Sequence, residues 1–322
     1  MTANHIFGPV CSRRLGRSLG IDLLPFKTCS YNCVYCECGA TNHLTTARSE
    51  FFPAGEVIAE LDTVLAQKPT LDYVTLAGSG EPTLSLSLGK IITHLKTTYP
   101  EYPVAVLTNG SLFSDPDVRS DVSKADLVIP TLTSTNQETF ERIHRPAPGL
   151  SVTRIIRGLV ELRKEFSGQL WLEVFLVPPL NTSAGELAAT RDAIAEIRPD
   201  RIQINTLDRP ATEAWVTAPD PVELRRIRAY FSEGGIPTDV VGAVTVGPEI
   251  PGIGESLPSQ ILKTLKRRPC TVEDLAAITG SHHQEVSKCL FGLLATGSVN
   301  TKRGKRGVFY YARQNENEEN PV

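Results

Sequence analysis

Apolar and polar positions change their period in a regular way along this chain. Short, nearly continuous apolar runs at Leu19–Leu24, Tyr73–Ala77, Val104–Leu107, Leu127–Pro130, Leu170–Val177 and Arg201–Asn205 predict strands. Between them, apolar residues recur every three or four positions. That spacing predicts helices over Gly55–Gln67, Leu88–Thr98, Gln137–Ile143, Val152–Phe166, Ala184–Ile197 and Pro221–Ser232. Continuous apolar strands alternating with helices imply a parallel sheet covered by helices. Six such units are too few for a closed eight-stranded barrel, so the α/β fold class expected is an open, partial (β/α)6 barrel.

The pattern breaks after Val240, where Gly and Pro crowd the stretch to Leu257. Helical spacing resumes at Gln260–Arg267. A second helix begins with the cap-like Thr271-Val272-Glu273-Asp274 and runs to Ile278, and a third spans Gln284–Ala295 behind Ser281 as its cap. Val299–Tyr311 reads as a hairpin around Arg303-Gly304-Lys305-Arg306-Gly307. The organisation expected is a barrel domain at 1–250, a linker at 251–257, a small domain at 258–313 and an acidic tail at 314–322.

Composition narrows the class. At 322 residues, 41% hydrophobic and 21% charged, the chain can bury a sizeable core. No run approaches a membrane span, and the N-terminus lacks a basic segment followed by an apolar one. Free thiols without a signal point to a reducing, cytoplasmic setting. The net charge of −3 is uneven: between 258 and 313, ten Lys and Arg face three Asp and Glu, while the tail carries three Glu. A basic end on an acidic body suggests an anionic partner for that end.

The densest chemistry lies at Cys29-Ser30-Tyr31-Asn32-Cys33-Val34-Tyr35-Cys36-Glu37-Cys38. Three thiols at C-x3-C-x2-C point to one shared ligand, and soft thiolates suit iron–sulfur or zinc. Cys38 would complete a four-sulfur zinc set, but structural zinc favours two separated C-x2-C pairs, and Cys36-x-Cys38 is an awkward tetrahedral bite. A disulfide framework does not suit a chain of this length with seven cysteines. Three ligands on a four-iron cluster leave one iron open to a small molecule. Cys38 is read as a nearby thiol rather than a ligand.

This motif resembles the signature of the radical S-adenosylmethionine (SAM) enzymes, in which SAM fills the open iron site. The resemblance implies a [4Fe-4S] cluster held by Cys29, Cys33 and Cys36. It also implies SAM contacts at Tyr35, at Gly80, Glu81 and Pro82 of Gly78-Ser79-Gly80-Glu81-Pro82, and more loosely at Asn109 and Ser134. These residues stand where successive strands stop, together with Thr131, Thr133, Asn181, Asn205 and Thr206, while Glu173 lies on the fifth strand. The runs Phe7 to Cys36 and Glu138 to Pro146 are similar to a group related to the wybutosine-type tRNA-modifying enzymes, with Cys11 standing where that group has proline. The function implied is reductive SAM cleavage and hydrogen abstraction from a substrate, which could be RNA, fed by a one-electron donor. Cys38 and Tyr31 are candidate second hydrogen donors. The alternative is a non-catalytic iron–sulfur regulator that binds nucleic acid and responds to SAM.

Other features stay open. Arg13, Arg14 and Arg17 within Phe7 to Gly20 suit either an anion-binding loop or a solvated one. His144 and Arg145 suit a helix-end cap or a substrate contact. Three helices and a basic hairpin resemble a winged helix-turn-helix. His282, His283, Gln284 and Lys288 on its third helix, with Lys302, Arg303, Lys305 and Arg306 on its wing, would form an RNA- or DNA-binding surface. Such domains also bind protein or simply pack.

Overall fold

The computed structural model describes residues 5–242 and 256–313. The boundary at 250, most of the 251–257 linker and the 314–322 tail lie outside the described residues, as does the side chain of Cys11.

One eight-stranded sheet organises the main domain. Its first strand, Ile6–Ser12, runs antiparallel to Gly16–Ile21. Parallel strands follow in sequence order: Tyr73–Leu76, Val104–Thr108, Leu127–Pro130, Gln169–Phe175, Arg201–Asn205 and Thr238–Val240. Two corrections follow. Phe7 to Gly20 is not an irregular arginine loop but a pair of strands joined by a turn that carries Arg13 and Arg14. The sheet also holds one more parallel strand than the six units expected, because Thr238–Val240, only three residues long and directly behind Gly234, Gly235 and Pro237, pairs with Arg201–Asn205. A short helix, Pro116–Val122, was likewise not anticipated.

Alternation along each strand explains the layering. Val104, Val106 and Val128 pack outward with helix residues such as Val57, Leu61, Ile155 and Leu159. Ala105, Leu107, Leu127 and Ile129 point to the opposite, concave face, where Leu15 joins them. Both faces are apolar, so the strands read as continuous hydrophobic runs.

The sheet is strongly curled. Arg14 forms an ion pair with Glu173, although four strand-to-strand steps separate Gly16–Ile21 from Gln169–Phe175. In a flat sheet those steps would span about 19 Å, well beyond the reach of an arginine. The hairpin turn is therefore folded into the concave face of an open trough.

The last described segment contains helices Leu257–Arg267, Val272–Thr279 and His283–Ala295, then a hairpin of Val299–Gly304 and Gly307–Ala312. It has its own core of Ile261, Leu265, Leu275, Val286, Leu290 and Val299. Thr271 and Asp274 close a reciprocal capping box. The third helix is capped by His282 rather than Ser281, its ring nitrogen accepting the Gln284 N–H at 3.3 Å. No described helix is long and apolar enough to cross a membrane.

A dense ion network joins this segment to the main domain. Arg306 reaches Asp274 at 2.9 and 3.0 Å and Asp208 at 2.9 Å. Arg209, 1% exposed, reaches Glu37 at 2.9 Å and lies 3.8 Å from Asp274. Arg267 stacks over the Phe7 ring at 4.3 Å. Arg306 is thus an interface residue, not the phosphate-facing wing residue expected. Its two terminal nitrogens are engaged by two carboxylates, while its buried Nε has no hydrogen-bond partner among the described residues.

Candidate functional site

The thiol loop leaves the sheet after Ile21 and returns toward the ends of neighbouring strands. Cys29 sits in a two-residue strand with Thr28, paired to His43–Leu44. Val34 N–H donates to Ile143 O at 2.9 Å and Cys36 N–H to Cys33 O at 3.2 Å, so backbone bonds fix the loop between the sheet and the helix Gln137–His144.

Each expected thiol ligand has its own polar neighbour. Asn109 Nδ2 lies 3.6 Å from Cys29 Sγ, His144 Nδ1 lies 3.1 Å from Cys33 Sγ, and Lys27 Nζ lies 3.1 Å from Cys36 Sγ. Burial pushes the Cys29 thiol up to about 12, with the Glu81 carboxylate adding to the effect. Burial likewise raises Cys33. Cys36 is drawn down to about 5 by the hydrogen bond from Cys38 and the Lys27 ammonium, against its burial. Among the described residues, no three His, Cys, Asp or Glu converge on a single metal ion. A polynuclear cluster takes one thiolate per iron and needs ligands set apart. The soft donor set of Cys29, Cys33 and Cys36, with Lys27 and Asn109 beside its sulfurs, fits such a cluster.

The glycine segment has a different local task from the one its composition suggests. A Cβ at Gly78 would meet the Asp22 carboxylate at 2.1 Å, and one at Gly80 would meet Thr28 O at 2.1 Å. These glycines let the segment pack against Asp22 and the start of the thiol loop. Ser79 confirms that contact, its N–H and hydroxyl donating to Asp22 Oδ2 at 3.0 and 3.1 Å.

Glu81 is buried, and its carboxylate accepts four internal donors: Thr83 N–H at 3.0 Å, Thr83 Oγ1 at 2.6 Å, Thr108 Oγ1 at 2.6 Å and Asn109 N–H at 2.6 Å. Burial raises its pKa even so. Its side chain braces the ends of neighbouring strands. Pro82 opens the buried turn Pro82–Leu84. Asn109 extends from Glu81 to the thiol loop, its amide donating to Ser30 Oγ at 2.8 Å. Ser134 is buried and donates to Glu186 at 2.7 Å, so its hydroxyl is also occupied.

Tyr35 stacks on Phe175, with ring centroids 3.9 Å apart and planes inclined by 12°. Tyr31 is buried against Phe140 and His144. Asn181 ties neighbouring strand ends, donating to Thr133 O and Phe175 O at 2.8 Å each.

Sequence reasoning missed Lys27 and the part played by His144. Lys27 is 2% exposed and adopts φ 59°. A lysine two residues before a thiol carries no signal for that burial. His144 is neither a plain cap nor an exposed contact: it bridges Thr133 Oγ1 at 2.5 Å and Cys33, fully buried. The left-handed cap is Arg145, φ 43°, whose guanidinium meets Glu213 at 2.6 Å.

Comparison with known proteins adds four findings. The profile of the Radical SAM superfamily matches residues 23–189. A protein named GTPase Obg from Brachyspira hyodysenteriae is 37% identical over 97% of this chain, which spans 45% of that protein's length. A UPF0026 protein from Methanocaldococcus jannaschii is 33% identical over 70% of this chain and 71% of its own. Among solved structures, SuiB of Streptococcus suis bound to S-adenosylmethionine superposes with a TM-score of 0.53 at 14% identity, over 70% of this chain and 50% of that one. That likeness concerns the fold.

Proposed function

We propose, from the premise that the chain belongs to the radical SAM superfamily and has UPF0026 homologues, that it is an enzyme cleaving SAM reductively at a [4Fe-4S] cluster. Cys29, Cys33 and Cys36 would hold the cluster. When bound, the reduced cluster would supply one electron to the SAM sulfonium, whose C–S bond would break to give methionine and a 5′-deoxyadenosyl radical able to take a hydrogen atom from a substrate. The observation that carries the reading is the set of three thiols, each with its own neighbour in Asn109, His144 or Lys27.

This chain's own residues position and shield. Lys27 brings a buried positive charge to Cys36, which favours the thiolate a metal needs. The Glu81–Asn109 pair holds one strand end against Ser30 of the loop, so loop and strand ends move as one body. Phe175 and Tyr35 form an apolar floor beside the loop that helps exclude water.

The 256–313 segment we read as a winged helix-turn-helix that docks RNA. Lys302, Arg303 and Lys305 on its hairpin are exposed and available to phosphates. A tRNA-related substrate and a cytoplasmic setting are part of this reading, as is a separate one-electron donor.

The test is an anaerobic assay of the full chain reconstituted with iron and sulfide. With dithionite and SAM it should yield 5′-deoxyadenosine, and Cys29→Ala, Cys33→Ala and Cys36→Ala should each abolish the product. An intact cluster that never cleaves SAM, with bulk tRNA present or absent, would favour a regulator instead.

A further inference from the structure

The thiol loop is tied to the 256–313 segment by a closed ring of charges. Arg13, Glu37, Arg209, Asp274, Arg306 and Asp208 meet one another in turn, and Asp208 returns to Arg13. Guanidinium and carboxylate alternate around the ring, so each charge lies between two of opposite sign. The members come from four parts of the fold: the turn of the N-terminal hairpin, the thiol loop, the stretch after Arg201–Asn205, and the 256–313 segment. Glu37 stands between Cys36 and Cys38, while Arg306 follows the exposed wing cation Lys305.

Arg209 holds the loop most directly. Its backbone N–H and its guanidinium both donate to Glu37, at 3.3 and 2.9 Å, while its Nε lies 3.8 Å from Asp274. A planar fork can face two carboxylates at once; a compact ammonium cannot. Three residues on, Thr212 N–H and Oγ1 donate to Cys36 O at 3.1 and 3.0 Å, and Glu213 N–H donates to Val34 O at 3.0 Å. The stretch that bears Arg209 is therefore stitched along the loop. The other way round the ring is looser. Arg13 lies 3.6 Å from Glu37 and 3.7 Å from Asp208, beyond hydrogen-bonding distance. The ring is also unsaturated, since Arg209 Nε and Arg306 Nε are buried without a hydrogen-bond partner among the described residues. A partly satisfied buried network is costly to hold, and removing one member leaves its neighbours' charges uncompensated.

We infer that Arg209 is a positioning residue through which the docked 256–313 segment sets the conformation of the thiol loop. The inference concerns the loop whatever ligand its thiols hold; only its consequence for a cluster rests on the proposed SAM chemistry.

The test is hydrogen exchange, read by mass spectrometry, in peptides covering residues 29–38 of the metal-free full chain. Arg209→Gln should speed exchange at the Val34 and Cys36 amides about tenfold, the loss of one charge-assisted hydrogen bond. Arg306→Gln removes contacts to Asp274 and Asp208 and touches no loop residue in the ring. It should also speed these amides about tenfold in the otherwise unaltered chain, but by less than about twofold once Arg209 is replaced by Gln. If Arg209→Gln fails to fold, Arg209→Lys carries the same comparison, because its ammonium keeps the charge at Glu37 without bridging to Asp274. Arg154→Gln, on the exposed side of the helix Val152–Glu165, should leave the loop unchanged. After reconstitution with iron and sulfide, Arg306→Gln should alter the electron paramagnetic resonance spectrum of the reduced cluster. Loop exchange unmoved by Arg306→Gln, equal Arg306→Gln effects in the two backgrounds, or a cluster spectrum identical to that of the unaltered chain overturns the inference. Coupled exchange in a chain that assembles no cluster upholds the positioning role and sinks the SAM reading. SAM cleavage by a chain whose loop ignores Arg306→Gln sinks the positioning role alone.

Discussion

Lys27 and Cys36 stand nine residues apart, and the buried ammonium of one lies 3.1 Å from the sulfur of the other. A buried lysine needs a partner that carries negative charge. Here the partner is a thiol whose own pKa is pulled down, so the pair is poised as ammonium and thiolate.

Lys27→Met should therefore weaken cluster incorporation by about 10- to 100-fold, the usual effect of losing a group that supports a metal ligand. The cluster that does form should have a more negative reduction potential, because a compensating positive charge is gone. Iron and sulfide content after reconstitution, followed by a potentiometric titration, would check both.

Gly80→Ala should damage the loop through backbone rather than side-chain contact. The new Cβ would lie 2.1 Å from Thr28 O. That oxygen also accepts the Glu81 N–H at 3.2 Å, so it cannot simply move aside. The expected cost is about 1–3 kcal/mol, read as a lower urea midpoint together with reduced iron content. Gly39→Ala, where no neighbour lies within 4 Å but φ is 89°, should cost less.

Acid should loosen the 256–313 segment before the main sheet. Burial alone would raise the Asp274 carboxyl, but the Arg306 hydrogen bonds, the Arg209 charge and the Thr271 N–H outweigh it, and its folded pKa lies below the ordinary value. The unfolded chain then binds more protons than the folded one as pH falls. The stabilisation is fully present above pH ~4, the unfolded value, and is lost as pH drops through the lower folded pKa. Protease sensitivity of the segment should rise over that window, and Asp274→Asn should flatten the dependence while lowering stability at neutral pH.

RNA affinity should separate the wing's cations. Arg303→Gln and Lys305→Gln should each reduce the salt slope of tRNA binding by about one. Arg306→Gln should leave that slope unchanged and instead destabilise the fold by about 1.5–3 kcal/mol, since two carboxylates lose their donor. Equal slope changes for all three would refute the placement of Arg306 in the interface. Binding isotherms over a range of salt, with urea unfolding of each variant, would decide it.

Much of this molecule is written locally. The strand at Val104–Thr108 is apolar on both faces because helices cover one side and the trough fills the other, so its pattern alone announces a parallel sheet. The three thiols are close in sequence, and their spacing was enough to single out the loop. The capping box at Thr271 and Asp274 is likewise a four-residue feature.

Other relationships depend on residues far apart in the chain. The resemblance places Glu81 at the SAM amino group, but only the fold shows that Thr108 and Asn109, brought in by the next strand, engage its carboxylate. Phe7 to Gly20 suits a loop by its glycines and arginines, and only pairing across the sheet edge makes it a hairpin. Arg14 meets Glu173, 159 residues away, only because the sheet curls. Arg306 faces Asp208 and Asp274 only because two separately built cores dock. The sequence by itself determined most of the elements and the close spacing of the three thiols, since both arise from interactions within a few residues. Tertiary structure decided which polar groups remain available for chemistry, because a buried carboxylate or guanidinium is committed by whichever partners the fold brings within hydrogen-bonding distance.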